Sequence, residues 1–404
     1  MKTQVLEQDM QQAAAILRAG GLVAVPTETV YGLAGNGLDE RAVREIYEVK
    51  GRPPVKALSL MVAGPESMAR YAREVPPAAL TLAKRFWPGP LTLILPSRPE
   101  VPEIVRAGGD TIGLRCPDHP LTLEALRLAE IPFAAPSANP SGAPSPKTAQ
   151  EVLAYFDGKI DAVIDGGPCG LGRESTILDL SRTPYRVLRQ GALPEEEIDR
   201  ALVAELTLVG VTGGSGCGKT TALETFQRHG ALTIDCDEVY HTLLERDEAL
   251  LAALEARFPS AFSSGTLDRK ALGRLVFADS EALAALNTIT HSAIGREVDA
   301  RLARFAREGG RLAAIDAVEL ISSGMARRCR ATVGVLAPEQ ARLERIMARD
   351  GISRDYALSR IRAQRPDDYY RANCTHILHN TGGREAFAAQ CEQFVKEIKQ
   401  TWMS

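Results

Sequence analysis

The chain of 404 residues has few aromatic side chains, few cysteines and no long apolar run. Its seven cysteines are scattered and form no C-x-x-C pair, which argues against structural zinc and favours a reducing, cytoplasmic compartment. No apolar stretch approaches the roughly 20 residues that cross a membrane, and residues 1–9 lack the apolar core of a secretion signal. We therefore expect a cytoplasmic protein without a membrane partner.

The charge balance excludes another class of protein. The net charge is −3, and Phe, Trp and Tyr make up only 5% of the residues. A dedicated nucleic-acid binder would carry a basic excess with interleaved aromatic residues, so we expect no stable nucleic-acid binding. The hydrophobic share of 45% and the charged share of 25% are ordinary for a globular enzyme.

Short apolar strands alternate with helical patterns in both halves of the chain, which predicts an α/β fold. A charged helical connector occupies residues 193–204, and a new strand, loop and helix follow it. We predict an N-terminal domain over residues 1–197, a linker over 198–206 and a C-terminal domain over 207–404.

The clearest motif follows an apolar run over residues 206–211 and matches the phosphate-binding loop G-x-x-x-x-G-K-[ST]. Its residues are Gly213, Gly214, Ser215, Gly216, Cys217, Gly218, Lys219 and Thr220. Glycines let backbone N–H groups close around phosphate oxygens. In such loops the lysine bridges the β- and γ-phosphates and the hydroxyl binds Mg²⁺. The loop therefore predicts that the C-terminal domain binds ATP and Mg²⁺.

Acidic residues end the next two predicted strands, where a doubly wound sheet places its ligand crevice. Asp235 and Asp237 follow one strand, and Asp316 follows the other. Asp237 could act as the base toward an attacking hydroxyl, although the same pattern is typical of a helix N-cap. Asp316 could reach Mg²⁺ through water.

The region over about residues 207–400 resembles dephospho-CoA kinases. The resemblance is carried by residues 212–221, 235–237 and 286–291, by Arg345 and Arg349, by Gln364, and by Asn380-Thr381-Gly382. It implies a doubly wound parallel sheet with a helical lid, and transfer of the ATP γ-phosphate to the ribose 3′-hydroxyl of dephospho-CoA.

The same resemblance implies residue roles, with Asp237 as the base and with Arg345 and Arg349 as lid cations. These two arginines lie close to acidic neighbours and would also fit a solvated helix face. The chain departs from the family pattern at Ser292, Val318, Ser322 and Asn373, which concerns the acceptor pocket and the lid.

No nucleotide loop precedes residue 206, but basic and hydrogen-bonding residues occur near the predicted strand ends. The basic residues are Lys50, Arg52, Lys56, Arg115 and Arg189. The hydroxyl and amide residues are Thr27, Ser137, Asn139 and Ser175. Each of these residues alone is equally typical of a solvated loop or a turn.

Together these residues resemble the YrdC-like threonylcarbamoyl-AMP synthases, over about residues 8–195. The segments that carry the resemblance are 26–33, 50–53, 86–92, 137–142, 174–176 and 188–191, with Arg115 and Pro117. The family has a twisted α/β sheet with a deep cavity. It joins L-threonine, bicarbonate and ATP into threonylcarbamoyl-AMP and pyrophosphate, with Mg²⁺ on the leaving group. The product feeds the modification of adenosine 37 in tRNA, which implies tRNA-modification proteins as partners.

The implied roles in this half fall into two groups. Lys50, Arg52, Lys56 and Arg189 would serve the nucleotide phosphates, and Arg115 a phosphate or a carboxylate. The hydroxyl and amide residues would supply hydrogen bonds to threonine and the nucleotide. The sequence thus predicts a bifunctional enzyme. The alternative is an RNA-binding module joined to a different or degraded P-loop kinase, with salt-dependent RNA affinity as its signature.

Overall fold

The computed structural model describes residues 2–403, the side chain of Phe277 excepted. The chain divides into two units. The N-terminal unit runs to Ala204 and includes residues 307–309, and the C-terminal unit begins at Glu205 and holds the remainder. No helix within residues 2–403 combines the length and the hydropathy needed to cross a membrane.

The N-terminal unit is built on a ten-stranded mixed sheet with the order β1-β8-β2-β3-β7-β4-β6-β5-β9-β10. Its strands are β1 (Gln4–Leu6), β2 (Val23–Val25), β3 (Gly32–Asn36), β4 (Ser59–Met61), β5 (Leu91–Pro96), β6 (Thr111–Arg115), β7 (Phe133–Ala134), β8 (Ala162–Ile164), β9 (Thr176–Asp179) and β10 (Arg186–Arg189). Its helices are α1 (Met10–Arg18), α2 (Glu40–Lys50), α3 (Met68–Tyr71), α4 (Pro77–Phe86), α5 (Glu103–Arg106), α6 (Pro120–Ala129), α7 (Ala149–Phe156) and α8 (Glu195–Ala204).

Helix α2 shows how local sequence positions two of the basic residues. The side chain of Asp39 caps its N-terminus by accepting a hydrogen bond from the Arg41 N–H. Gly51 ends the helix in the left-handed conformation with φ of 57°, which glycine adopts at little cost. The chain turns there, so Lys50 is the last helical residue and Arg52 lies just beyond the turn.

The C-terminal unit contains a five-stranded sheet with the order β12-β15-β11-β16-β17, in which every neighbouring pair is parallel. Its strands are β11 (Thr207–Thr212), β12 (Leu232–Asp235), β15 (Leu312–Asp316), β16 (Ala331–Leu336) and β17 (His376–His379), with a separate hairpin of β13 (Phe262–Ser263) and β14 (Thr266–Leu267). This confirms the predicted doubly wound parallel sheet.

Helices connect these strands. They are α9 (Lys219–Arg228), α10 (Cys236–Arg246), α11 (Glu248–Arg257), α12 (Arg269–Ala278), α13 (Ser280–Arg307), α14 (Glu339–Asp350), α15 (Arg354–Arg362), α16 (Asp367–Asn373) and α17 (Arg384–Trp402). Helices α14 and α15 pack on each other through a small apolar cluster of their own, which includes Leu343, Ile346 and Ile361. We call α14 and α15 the helical pair.

The predicted linker over residues 198–206 is mostly helix α8 in the structure. Ile198, Ala201 and Leu202 of this helix are buried, and α8 packs against α4 within the N-terminal unit. Their spacing of three and four residues is that of a helix face turned to a core. We therefore propose that the domain boundary lies at Ala204–Glu205.

This boundary can be tested by truncating the buried face of α8. We expect Ile198→Ala to destabilise the N-terminal unit by about 2–5 kcal/mol, the usual cost of this truncation in a core. The exposed Glu196→Ala change should stay within about 0.5 kcal/mol. Urea unfolding in a Trp402→Phe background reports this unit alone, because Trp87 is then the only tryptophan. Equal unfolding midpoints for the two variants would show that residues 198–204 are a linker.

Candidate active sites

The phosphate loop lies between β11 and α9, and its neighbours as well as its conformation require glycine. Gly213 and Gly218 have φ of 144° and 105°. A Cβ atom would lie 2.4 Å from the Val335 carbonyl oxygen at Gly213 and 2.3 Å from Asn380 Nδ2 at Gly218. The glycines therefore permit close packing behind the loop in addition to the approach of phosphate in front of it.

Side chains bind the carbonyl oxygens of this loop from outside. Arg345 Nη1 donates to the Gly216 carbonyl at 3.0 Å and its Nη2 donates to Asn380 Oδ1 at 3.2 Å. Asn380 Nδ2 donates to the Cys217 carbonyl at 2.8 Å. In a trans peptide the N–H points opposite to the carbonyl, so the N–H of Gly218 is turned toward the other side of the loop. This arrangement suits an anion-binding nest.

Lys219 and Asp316 meet at the start of α9. Lys219 Nζ lies 3.9 Å from Asp316 Oδ1, and both side chains are largely buried. Burial, reinforced by the charges of Asp235 and Asp237, raises the pKa of Asp316 to about 7, although Lys219 opposes the shift. Asp316 Oδ1 is buried and has no hydrogen-bond partner within residues 2–403.

Such an orphaned carboxylate oxygen fits a cation, and the donor set fits Mg²⁺. No cluster of three or more His, Cys, Asp or Glu side chains suited to a metal occurs in the described part of the chain. Mg²⁺ does not need one, because it commonly keeps several waters and uses one or two protein ligands with substrate phosphates. Thr220 and Asp316 are the residues that would hold it, directly or through water.

The two aspartates after β12 have different roles in the structure. Asp235 is the N-cap of α10, and its Oδ1 accepts hydrogen bonds from the N–H groups of Asp237 and Glu238 at 2.8 and 3.2 Å. Asp237 lies in the first helical turn and lines a cavity. The Asp237 side chain is exposed, yet partial desolvation by the surrounding protein raises its pKa, and the adjacent negative charge of Asp235 raises it further. The N-cap and the candidate base are therefore two separate residues.

The cavity beside Asp237 has a volume of about 410 Å³. Its walls are mainly apolar, and its ionisable lining residues include His291, Glu319 and Arg328. Of the four departures from the family pattern, Val318 lies in this wall, whereas Ser292, Ser322 and Asn373 are not among the lining residues.

The two predicted lid arginines also differ from each other. Arg345 is bound to the phosphate loop, as described above. Arg349 is exposed and donates to both carboxylate oxygens of Asp350. Its position fits the alternative interpretation from the sequence, in which it belongs to a solvated helix face. Sequence reasoning missed Arg342, which is only 6% exposed and donates to the Ser215 carbonyl at 3.0 Å.

A second cavity of about 230 Å³ opens in the N-terminal unit. Five of the predicted residues line it, namely Arg52, Arg115, Ser137, Ser175 and Arg189. Four others do not, namely Thr27, Lys50, Lys56 and Asn139. The guanidinium groups thus come together from a helix terminus, from β6 and from β10, which are distant in the sequence.

Arg52 and Arg189 are held by backbone carbonyl groups, and Glu174 of the same cavity lining is an acidic side chain whose charge acts on Arg189. Arg52 Nη2 donates to the Ala57 carbonyl at 2.9 Å, and Arg189 Nη2 donates to the Ser175 carbonyl at 2.8 Å. Neither forms an ion pair with a carboxylate in residues 2–403. Both are therefore suited to an anionic ligand.

Arg115 is held differently. Its Nη2 donates to Glu28 Oε1 at 2.7 Å and to Thr29 Oγ1 at 2.8 Å; the Arg115 side chain is buried, and that of Glu28 is largely so. Arg115 lines the cavity, and its Nη1 forms no hydrogen bond within residues 2–403. The sequence did not single out Glu28 or Thr29 for this contact, although both lie within the segment 26–33.

The remaining predicted residues support loops. Lys50 Nζ donates to the carbonyl oxygens of Ser137 and Asn139, and burial lowers its pKa to about 7. Thr27 is buried, and its hydroxyl donates to the Val30 carbonyl at 2.7 Å. Lys56 is exposed, and only its backbone carbonyl is used in the cavity wall, by Arg52 and Tyr47.

The side chain of Asn139 supports a loop through its amide nitrogen, whereas its amide oxygen forms no hydrogen bond within residues 2–403. Its Nδ2 donates to the carbonyls of Pro140 and Ala143 at 3.0 and 2.6 Å. Its Oδ1 is buried and has no partner within residues 2–403. The structure therefore brings together two of the predicted hydroxyl residues, Ser137 and Ser175, and three guanidinium groups, while Thr27, Lys50, Lys56 and Asn139 do not line the cavity.

Two family models match the chain. The model described as "Telomere recombination" matches residues 15–191, and the model described as "Dephospho-CoA kinase" matches residues 207–385. The first match lies within the N-terminal unit, and the second lies in the C-terminal unit apart from residues 307–309, which belong to the N-terminal unit.

Curated relatives match the N-terminal unit. The chain is 48% identical over 202 residues to a threonylcarbamoyl-AMP synthase of Pyrococcus abyssi, and this match covers 50% of this chain and 59% of that protein. It is 36% identical over 171 residues to a threonylcarbamoyl-AMP synthase of Stutzerimonas stutzeri, and this match covers 42% of this chain and 92% of that protein. The solved structure of P. abyssi Sua5 complexed with L-threonine has a TM-score of 0.48 at 30% identity, covering 82% of this chain and 97% of that one.

The raised pKa of Asp237 has a consequence for phosphoryl transfer at the C-terminal site. If Asp237 is the base, the reaction requires its ionised form, so the rate falls on acidification through the pKa of Asp237. We expect Asp235→Asn to move this acid limb to lower pH, since it removes the neighbouring negative charge while asparagine still caps the helix.

The measurement is the pH dependence of kcat/KM for the nucleotide-dependent reaction. Glu238→Gln is the matched control, because Glu238 lies in the same helical turn and is exposed. An acid limb that stays in place in Asp235→Asn would exclude Asp237 as the titrating base.

Proposed function

Since this chain belongs to the threonylcarbamoyl-AMP synthase family, we propose that its N-terminal unit makes threonylcarbamoyl-AMP and pyrophosphate from L-threonine, bicarbonate and ATP. The chain spans between about half and three fifths of the length of the first curated relatives it matches, at 59%, 56% and 52%. The activity proposed here is accordingly that of the matched unit, and its product would supply tRNA-modification proteins.

The convergence of Arg52, Arg115 and Arg189 on one cavity carries this proposal. The reaction needs no covalent enzyme intermediate, because the threonine amine forms a carbamate whose oxygen attacks the α-phosphorus of ATP. The enzyme must instead hold three partners together and neutralise a triphosphate and carboxylates. Two unpaired guanidinium groups suit the phosphates, and Arg115, which Glu28 orients, suits a carboxylate.

Neutral groups in the same cavity wall would orient the substrates. The hydroxyls of Ser175 and Thr92 are hydrogen-bonded to each other at 2.8 Å, and Ser137 also lines the cavity. Mg²⁺ bound to the nucleotide would neutralise the leaving pyrophosphate. A cavity built from unpaired arginines and ordered hydroxyls favours this adenylate chemistry over the RNA-binding alternative, since RNA binding calls for an exposed basic face.

For the C-terminal unit, we infer that it transfers the γ-phosphate of ATP to the 3′-hydroxyl of dephospho-CoA. The placement of Asp237 in the lining of the 410 Å³ cavity, close enough to Lys219 for the lysine charge to act on it, carries this inference. Asp237 would accept the hydroxyl proton, and Lys219 and Arg345 would stabilise charge on the transferred phosphoryl group. Mg²⁺ held by Thr220 and Asp316 would neutralise the nucleotide phosphates.

Because each unit has its own cavity, one substitution should remove one activity. We expect Lys219→Ala to abolish only the phosphorylation of dephospho-CoA, by about 100-fold or more, since it removes the phosphate-bridging cation. We expect Arg52→Ala to impair mainly the threonine- and bicarbonate-dependent formation of the adenylate. Both products are identified by mass after incubation with ATP and Mg²⁺.

Each variant is the folding control for the other, as the unaffected activity shows that the chain is folded. Loss of both activities in either variant, with the fold intact, would contradict two independent sites. If the N-terminal unit instead bound RNA with strong salt dependence and formed no adenylate, the RNA-binding alternative would hold.

A further inference from the structure

Gln364 lies after α15 and contacts a residue of the phosphate loop at two points. Its Oε1 accepts the hydrogen bond of the Ser215 N–H at 2.9 Å, and its Nε2 donates to Ser215 Oγ at 2.8 Å. Both ends of the side-chain amide are thus committed to the same loop residue, 149 positions away in the sequence.

Arg342 of α14 fixes the orientation of this amide. Arg342 Nη2 donates to Gln364 Oε1 at 2.7 Å, and its Nε donates to the Ser215 carbonyl at 3.0 Å. If the amide were reversed, its NH₂ group would face two donors, so only one orientation is satisfied. Gly214 makes room for this contact, because a Cβ atom there would lie 2.2 Å from Arg342 Nη2.

These contacts determine which loop N–H groups are available to an anion. The N–H, the carbonyl and the hydroxyl of Ser215 are all bound by Gln364 and Arg342. The N–H of Gly216 belongs to the same peptide as the Ser215 carbonyl and points the opposite way. Neither this N–H nor that of Gly218 has an acceptor among the described residues.

We propose that Gln364 is a positioning residue that sets the register of the phosphate loop, so that the N–H groups of Gly216 and Gly218, and not that of Ser215, face the phosphates of ATP; the Cys217 N–H stays within the loop, on the Gly214 carbonyl. This inference rests on the proposed kinase function of the C-terminal unit. Gln364 acts through Ser215 and does not itself touch the nucleotide. Because Gln364 and Arg342 belong to the helical pair and the segment after it, they tie the loop to the elements that carry Arg345.

The first test is Gln364→Leu in the full chain, which keeps most of the side-chain volume and removes the amide. We expect the KM for ATP in the kinase reaction to rise about tenfold, because the loss of two hydrogen bonds frees the loop. The KM for dephospho-CoA and the KM for ATP in the synthase reaction should stay within about twofold. Gln340→Leu is the matched control, since Gln340 is exposed on α14 and its side chain donates a hydrogen bond to Glu344 of the same helix.

The second test is Ser215→Ala, which removes only the hydroxyl. We expect a rise of about threefold in the same KM, and we expect the double variant to be no worse than Gln364→Leu, since residues of one network are not additive. Additive effects would show that the two residues act separately and would overturn the proposal.

Two further outcomes would also overturn it. One is an unchanged KM for ATP in Gln364→Leu. The other is an equal rise in the KM for both kinase substrates together with a lower unfolding midpoint, which would indicate a packing role. If Gln364→Leu fails to fold, Ser215→Ala decides, because an unchanged KM for ATP there refutes the proposal.

Failure of the kinase proposal is distinguishable from failure of this one. Calorimetry with ATP alone measures the affinity for ATP, and the binding that is lost in Lys219→Ala is the binding at the phosphate loop. This measurement does not depend on whether dephospho-CoA is phosphorylated. Weaker ATP binding at that site in Gln364→Leu supports the positioning role, and unchanged binding refutes it.

Discussion

Both units depend on hydrogen bonds from cationic side chains to the backbone carbonyl oxygens of loops. Lys50 donates to the carbonyls of the 137–139 loop, Arg189 donates to that of Ser175, and Arg345 donates to that of Gly216. A cation that loses its water is costly unless it finds such acceptors. A peptide whose carbonyl is bound on one side presents its neighbouring N–H to the other. These contacts thus shape the loops while keeping positive charge close to the cavities.

The two cavities use this interaction in different ways. In the C-terminal unit the anion-binding nest is formed by backbone N–H groups of the phosphate loop, and Arg342 and Arg345 donate hydrogen bonds to carbonyl oxygens of the same loop. In the N-terminal unit no such nest occurs among the predicted site residues, and Arg52, Arg115 and Arg189 line the cavity directly. A backbone nest fixes one phosphate group closely, whereas long side chains can serve several anionic groups of different substrates.

Local patterns allowed much of the C-terminal site to be predicted. The glycines and Lys219 mark the loop through short-range geometry, and the all-parallel sheet follows from alternating strands and helices. The residues after β12 were ambiguous because a cap and a base use the same side chain, and the structure assigns the cap to Asp235. Gln364 and Arg342 could not be assigned roles, because their contacts with Ser215 join positions 149 and 127 residues apart.

The N-terminal site shows a second limit of sequence reasoning, which concerns where a basic side chain points. Lys50, Arg52 and Lys56 lie within seven positions, yet Arg52 alone lines the cavity. The turn at Gly51 separates the first two, since it leaves Lys50 at the end of a helix directed at the 137–139 loop. Lys56 lies in the exposed segment that supplies carbonyl acceptors to Arg52. Charge clustering in a sequence therefore identifies the neighbourhood of an anion site, whereas the helix end and the loop partners determine which cation reaches it.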